Sequence, residues 1–336
     1  MIHAKPKNGA AVLTLLIAAP LIMEVLPGYT RFSSLFVFPI EVCVWGGGAL
    51  LIRYAVRKGN LHWTALLLLG LALSVAEEFL IQQTSVAPMV LRLKGVTYAR
   101  GWDINYVYLL WALIAETVFV VFVPVHLTEL LFPQKRQDAW ISKTGAAFFG
   151  LLFIGGSFLA WFTWTQIARP KVFHVSAFHP PLRLVLVAAG IIILLVTGAL
   201  VFCRPKSGGA QPVAPREVKI PARWLLLLLG ALWAILLYPL VLLGFGLWPY
   251  FPPLLAILGG LLLCAAAFLL VPRWSTAPSW DAGRAYALIS GVITGSMLVS
   301  FVGFVGAAPQ DLWFKVVVDL AAWFLLIRWR HRMNKR

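Results

Sequence analysis

HWTALLLLGLALSVAEEFLIQ, residues 62–82, is the stretch whose reading decides the fold. It is a nearly unbroken apolar run of the roughly 20 residues that a helix needs to cross a bilayer. It also carries two adjacent carboxylates, Glu77 and Glu78. A carboxylate costs about +2.5 kcal/mol or more at the middle of a spanning helix, so a pair inside such a run points to function.

Nine more apolar stretches of comparable length flank it, at 10–27, 32–56, 104–132, 144–168, 181–203, 223–246, 250–271, 284–308 and 312–329. Backbone groups find no water in hydrocarbon, so each is expected to be a helix. Hydrophobic residues make up 61% of the chain and charged residues 12%, half the roughly 25% of a soluble domain. No soluble domain fits between the runs. The expected fold is an all-α polytopic transmembrane helical bundle of about ten spans, with the lipid bilayer as its main partner. The first run, Ala10 to Pro27, has no clean small-x-small cleavage site after it and reads as an uncleaved span. Cys43, Cys203 and Cys264 show no CxxC spacing and read as small buried hydrophobes.

The net charge of +16 does not imply nucleic acid. Lys and Arg sit in short loops beside apolar runs, as in proteins that are positive on the cytoplasmic side. With the N-terminus inside, 20 of the 28 Lys and Arg residues fall in inner segments. That bias predicts both termini in the cytoplasm. Residues 204–222, rich in Gly, Pro and basic residues, form the one linker-like stretch. They divide a six-span region, 1–203, from a four-span region with a basic tail, 223–336.

Six of the seven glutamates lie within the first four runs: Glu24, Glu41, Glu77, Glu78, Glu116 and Glu129. At about 1.5 Å per helical residue, Glu41 is expected roughly 13 Å below the outer surface, Glu77 and Glu78 roughly 6–8 Å and Glu116 roughly 18 Å. Glu24 ends the first helix on the same side. Glu129 falls near the inner surface, where Lys135 and Arg136 offer an ion pair. On the third helix Ser74, Glu78 and Gln82 share a face, with Glu77 turned about 100° away. On the fourth, Asn105, Tyr108, Ala112 and Glu116 form a stripe. The simplest packing turns these stripes toward one cavity that opens outward. Its expected ligand or proton site is Glu41, Glu77, Glu78 and Glu116, with Asn105 and Gln82 as neutral ligands.

Loop 83–103, with Arg92, Lys94, Tyr98, Arg100, Trp102 and Asp103, is expected to form an interfacial belt or a lid over that cavity. His174 and His179 share an outer loop but lack a recognised metal-ligand spacing, and no metal or cofactor is assigned. Asp319 is expected to pair with Lys315. Gly46-Gly47-Gly48 and Gly291-x-x-x-Gly295 read as close helix contacts, and Trp161, Trp164, Trp248, Trp274 and Trp280 as interfacial anchors. No phosphate loop, nucleophile elbow, HExxH or dinucleotide fingerprint is present.

At Glu24, GGGALLIR (46–53), Glu77-Glu78, GWDIN (101–105) and PVHLTELLFP (124–133), the chain resembles a family of uncharacterised bacterial multi-pass membrane proteins. The likeness is strongest over the first 135 residues. It departs from the family at Phe79, where Gly is usual, and at Glu116, where His is usual. A more fragmentary resemblance is to CAAX-type intramembrane proteases, through Glu77-Glu78 and Phe122-x-x-x-His126. Gln82 stands where that family has Arg, and its third motif is missing. Three functions follow as expectations. The first is binding or transport of a cation, proton or cationic solute. The others are a membrane-embedded hydrolase or transferase using Glu77-Glu78, and a structural subunit or assembly factor without chemistry.

Overall fold

The computed structural model describes residues 8–90, 98–204, 218–248 and 250–334. Arg92, Lys94, Glu217 and most of the 204–222 linker lie outside the described residues.

The described chain is all-α apart from one two-residue hairpin. The helices are α1 (Gly9–Val25), α2 (Phe32–Lys58), α3 (Thr64–Ile81), α4 (Tyr106–Leu131), α5 (Lys143–Val172), α6 (Leu182–Phe202), α7 (Arg223–Leu247), α8 (Pro253–Ser275), α9 (Ala282–Phe304) and α10 (Pro309–Asn334). They coincide with the ten apolar runs. Eight of them, α2 to α9, are long and apolar enough to cross a membrane. Helix α1 is shorter, and α10 interrupts its apolar run with Lys315, Asp319 and Arg328.

Helix α4 occupies the centre and touches α1, α3, α7, α8 and α9. Helices α3, α4 and α9 are the most buried, whereas α5, α6 and α8 turn most of their surface outward. That outer surface is apolar: Leu151, Ile154, Leu186, Leu194 and Leu262 all project from it. So extensive an apolar exterior, on helices of membrane-crossing length, is what hydrocarbon covers.

Small residues set the closest approaches. A Cβ on Gly291 would lie 2.0 Å from the Leu227 carbonyl oxygen, and one on Gly295 2.3 Å from that of Ala231. Helices α7 and α9 therefore meet backbone to backbone. Gly46 brings α2 equally close to α1, against the Leu16 carbonyl.

The end of α2–α4 that carries Glu129 is held by a buried charge network. Glu129 receives Arg53 Nε at 3.0 Å and Arg57 Nη2 at 2.6 Å, with Arg136 at 3.5 Å. Arg53 also donates to the carbonyls of Asp138 and Arg136 and stacks on Trp140, 3.2 Å from the ring centre. The sequence pointed to Lys135 and Arg136 as partners of Glu129. The principal partners are instead the two arginines one turn apart on α2, which reach the carboxylate from across the bundle. In α10, Lys315 pairs with Asp319 and donates to the Met297 carbonyl at 3.1 Å, tying α10 to α9.

Candidate functional site

Each of the helices α1 to α4 carries a π-helical turn, and each turn holds or adjoins a glutamate. Glu24 lies in Leu21–Val25, and Glu41 immediately precedes Val42–Gly46. Glu77 and Glu78 open Glu77–Ile81, and Glu116 opens Glu116–Phe122. A π turn inserts one residue and widens the helix, and such insertions recur at functional sites. Here they carry or adjoin carboxyl side chains on four neighbouring helices.

Helices α1 and α3 then end alike. The Glu24 carbonyl accepts the Tyr29 and Thr30 amides, at 2.8 and 3.0 Å, and the Glu77 carbonyl accepts those of Gln82 and Gln83, at 3.0 and 3.2 Å. Gly28 and Gln83 supply the left-handed residues these turns require, with φ of 76° and 63°.

The carboxyl groups converge. Glu24 lies within electrostatic reach of Glu41, Glu77, Glu78 and Glu116. Glu78 and Glu116 lie within electrostatic reach of each other. Glu78 Oε2 accepts the Ser85 amide at 2.8 Å and the Ser85 hydroxyl at 2.5 Å. Glu24 accepts Trp45 Nε1 at 2.9 Å, and Glu41 accepts the Thr30 hydroxyl. Glu77 is only 2% exposed, yet neither of its carboxyl oxygens has a hydrogen-bond partner, and Glu41 and Glu116 each keep one buried oxygen without a partner. Among the described residues none of these five forms an ion pair, whereas Glu129, Asp103, Asp281 and Asp319 all do.

Tyr108 faces the cluster, within electrostatic reach of Glu24, Glu77, Glu78 and Glu116. Beside it, Tyr29, Trp111 and Tyr238 form an aromatic wall. Trp111 lies 5.8 Å from Tyr29, 5.5 Å from Tyr108 and 6.5 Å from Tyr238, centre to centre. Tyr108 belongs to the stripe read from the sequence, whereas Tyr29 and Tyr238 escaped that reading because aromatics in apolar runs look like any packed core. Tyr238 belongs to α7, which that reading treated as a separate region.

Two expectations are corrected. Asn105 is not a ligand of the cluster. It caps α4, and its amide is fully engaged by Arg100, at 2.8 Å, and by the carbonyls of Thr84 and Ala87, each at 3.1 Å. Nor does the cluster open outward: Glu41, Glu77, Glu78 and Glu116 are all buried. The loop after α3 closes over it instead of spreading as an interfacial belt. Ser85, Val86 and Ala87 are buried, and Arg100 holds their segment through the carbonyls of Val86 and Ala87. Strands β1 (Arg100–Gly101) and β2 (Ile104–Asn105) form the adjoining hairpin, whose two turn residues, Trp102 and Asp103, both have positive φ, as a tight hairpin turn demands. Gln82 is half-buried, and its backbone amide serves the Glu77 carbonyl.

His126 stands apart from the glutamate pair. Its Nδ1 lies 2.8 Å from the Phe122 carbonyl, and the carboxylate in electrostatic reach is Glu129. His174 and His179 are exposed. Among the described residues, no three His, Cys, Asp or Glu side chains gather at metal-ligating geometry. Comparison with protein-family models, curated proteins and solved structures finds no match to the chain.

Proposed function

We propose that this chain is a multi-pass protein of a bacterial inner membrane, with ten spans and both termini cytoplasmic. Its buried glutamates bind a cation, a proton or a cationic solute, as a transporter's site does. One observation carries this reading: five carboxyl groups from four consecutive helices meet without a counter-charge, and Glu77 is left with no partner at all. A buried carboxyl without a hydrogen bond costs about 1–3 kcal/mol or more, so it persists where function requires it. Close carboxyl groups in a low-dielectric setting do not all ionise, which couples Glu78 and Glu116 to proton occupancy. The loop bearing Ser85 would be the outer gate, and the described conformation an occluded one.

The hydrolase reading calls for a histidine or a metal beside Glu77-Glu78, and His126 belongs to a different neighbourhood. The assembly-factor reading calls for carboxylates that are individually satisfied, and Glu77 runs against it. The resemblance to the uncharacterised bacterial membrane family is kept on the same terms, through Glu24 and Glu77-Glu78.

The test is reconstitution in liposomes of the native chain and of the Glu78→Gln and Glu116→Gln variants. Loss of cation binding or proton flux in both variants is expected. Unchanged binding and flux in both would remove the proposal.

A further inference from the structure

The aromatic wall beside the carboxyl cluster encloses a narrow crevice. Tyr29, Trp111, Phe119 and Tyr238 line it together with Met23 and Ala115, the residues that precede Glu24 and Glu116. Its empty volume is about 180 Å³, and it is too tight to admit a water-sized sphere. The Tyr29 and Tyr238 side chains lie within electrostatic reach of each other across it. Tyr29 is 43% exposed, so it forms the edge where the crevice meets the surface.

We propose that the crevice is a collapsed aromatic cage and that the solute is a small alkylammonium cation of the choline type. The inference rests on the acidic-site reading and names its ligand class. The electron-rich faces of Trp and Tyr attract a cation within about 6 Å, most strongly once it is desolvated, and aromatic cages are how quaternary ammonium groups are bound. Three tyrosines and Trp111 bordering an uncompensated negative cluster supply both parts of such a site. The spacing of the carboxyls points the same way. They do not gather around a point as ligands of a small metal ion do. Glu24 lies within electrostatic reach of both Tyr29 and Tyr238, so negative charge stands beside the aromatic wall, which suits a bulky cation with a diffuse charge. Glu77, within reach of Glu24, has carboxyl oxygens without a partner, and Trp111 Nε1 is a buried donor without an acceptor, which a ligand hydroxyl would satisfy. Entry requires Tyr29 to swing outward, away from Tyr238.

The experiment is calorimetric titration of the detergent-purified full chain with choline, with its uncharged tert-butyl isostere, and with sodium and potassium. Choline should bind, and the isostere at least about tenfold more weakly. Trp111→Phe should weaken choline roughly 3- to 30-fold, the range a desolvated cation–aromatic contact spans, and Glu77→Gln should weaken it further. If Trp111→Phe does not fold, the choline–isostere comparison on the native chain decides alone. Equal binding of choline and the isostere would overturn the cage. Glu77-dependent sodium, potassium or proton binding without choline binding would also overturn it, while leaving the acidic site standing. No Glu77-dependent binding of any cation would remove both.

Discussion

Ser85 grips Glu78 twice, giving both its backbone N–H, at 2.8 Å, and its hydroxyl, at 2.5 Å, to the same carboxyl oxygen. The segment that follows α3 is thus fastened to a carboxyl that lies within electrostatic reach of Glu116 on the next helix. Arg100 and Asn105 hold that segment from the other side through the carbonyls of residues 84, 86 and 87. Loop and carboxyl are one hydrogen-bonded unit, so a change in the charge of Glu78 reaches the loop directly.

Ser85→Ala removes one of the two donors and leaves the amide. The expected loss is about 1–2 kcal/mol, the range for a hydrogen bond to a charged or strongly polar acceptor. Because the bond fastens a loop, the loss should appear there first. Hydrogen exchange of residues 83–90 should quicken several-fold while that of α9 stays unchanged. Uniform loosening of the whole bundle would contradict the latch.

Glu129 should behave as the opposite of the site glutamates. Glu129→Gln leaves Arg53, only 1% exposed, without its carboxylate. Removing one partner of a buried pair costs about 3–5 kcal/mol, because the other charge remains buried. The variant should melt well below the native chain in detergent. Whatever folds should retain cation binding, since Glu129 lies with Arg53, Arg57 and Arg136 rather than with the outer cluster.

Helix positions were legible in the sequence because a bilayer leaves few alternatives to a continuous apolar helix, and ten apolar runs became ten helices. The meeting of glutamates from the first four runs was legible in part, since rise per residue converts position along a helix into height. Neighbours across the bundle were not. Arg53 and Arg57 reach Glu129 from α2, over more than 70 positions of chain, and nothing local marks that pairing. The π turns have no composition signal, yet they carry or adjoin the carboxyls. Asn105 looked like the first member of a helical stripe because its spacing to Tyr108 and Ala112 is right. It actually precedes the helix, where the amide serves the loop.

The α7–α9 contact should tolerate no side chain at its centre. Gly291→Leu places a Cβ where the Leu227 carbonyl oxygen stands, at 2.0 Å. Backbone cannot yield as a side-chain tip does, so the helices must separate. Overpacking of this kind costs about 1–3 kcal/mol. A drop in melting temperature in detergent is expected, together with faster exchange in both helices. Gly303→Leu, with open space around its Cβ position, should leave both unchanged.

At the start of α9, Asp281 accepts the Arg284 amide at 2.7 Å and lies 3.0 Å from both Arg223 and Arg284 side chains. Burial acts to raise its pKa, but these hydrogen bonds and charges outweigh burial and hold it below the ordinary 3.8. A carboxyl with a lowered folded-state pKa stabilises the fold above its unfolded value, and loses that contribution as pH falls through the folded one. With the side chain 42% exposed, solvent screening keeps the effect under about 1 kcal/mol. Asp281→Asn should therefore quicken exchange in the first turn of α9 at neutral pH. As pH falls through the lowered folded-state pKa, the variant and the native chain should converge.

The sharpest separation of function from structure is at Glu77. If this carboxyl were a packing element, its removal would cost stability, as with Glu129. Its two oxygens are buried and unpartnered, so the folded state bears their desolvation with nothing in return. Glu77→Leu exchanges an unsatisfied polar group for a side chain of similar size in an apolar setting. It should stabilise the protein, by about 1–2 kcal/mol, while abolishing cation binding, the exchange expected where a site is kept at the cost of stability. Melting in detergent and calorimetric titration on the same preparation read both quantities. A lower melting temperature with binding intact would make Glu77 a structural residue and would remove the centre of the proposed site.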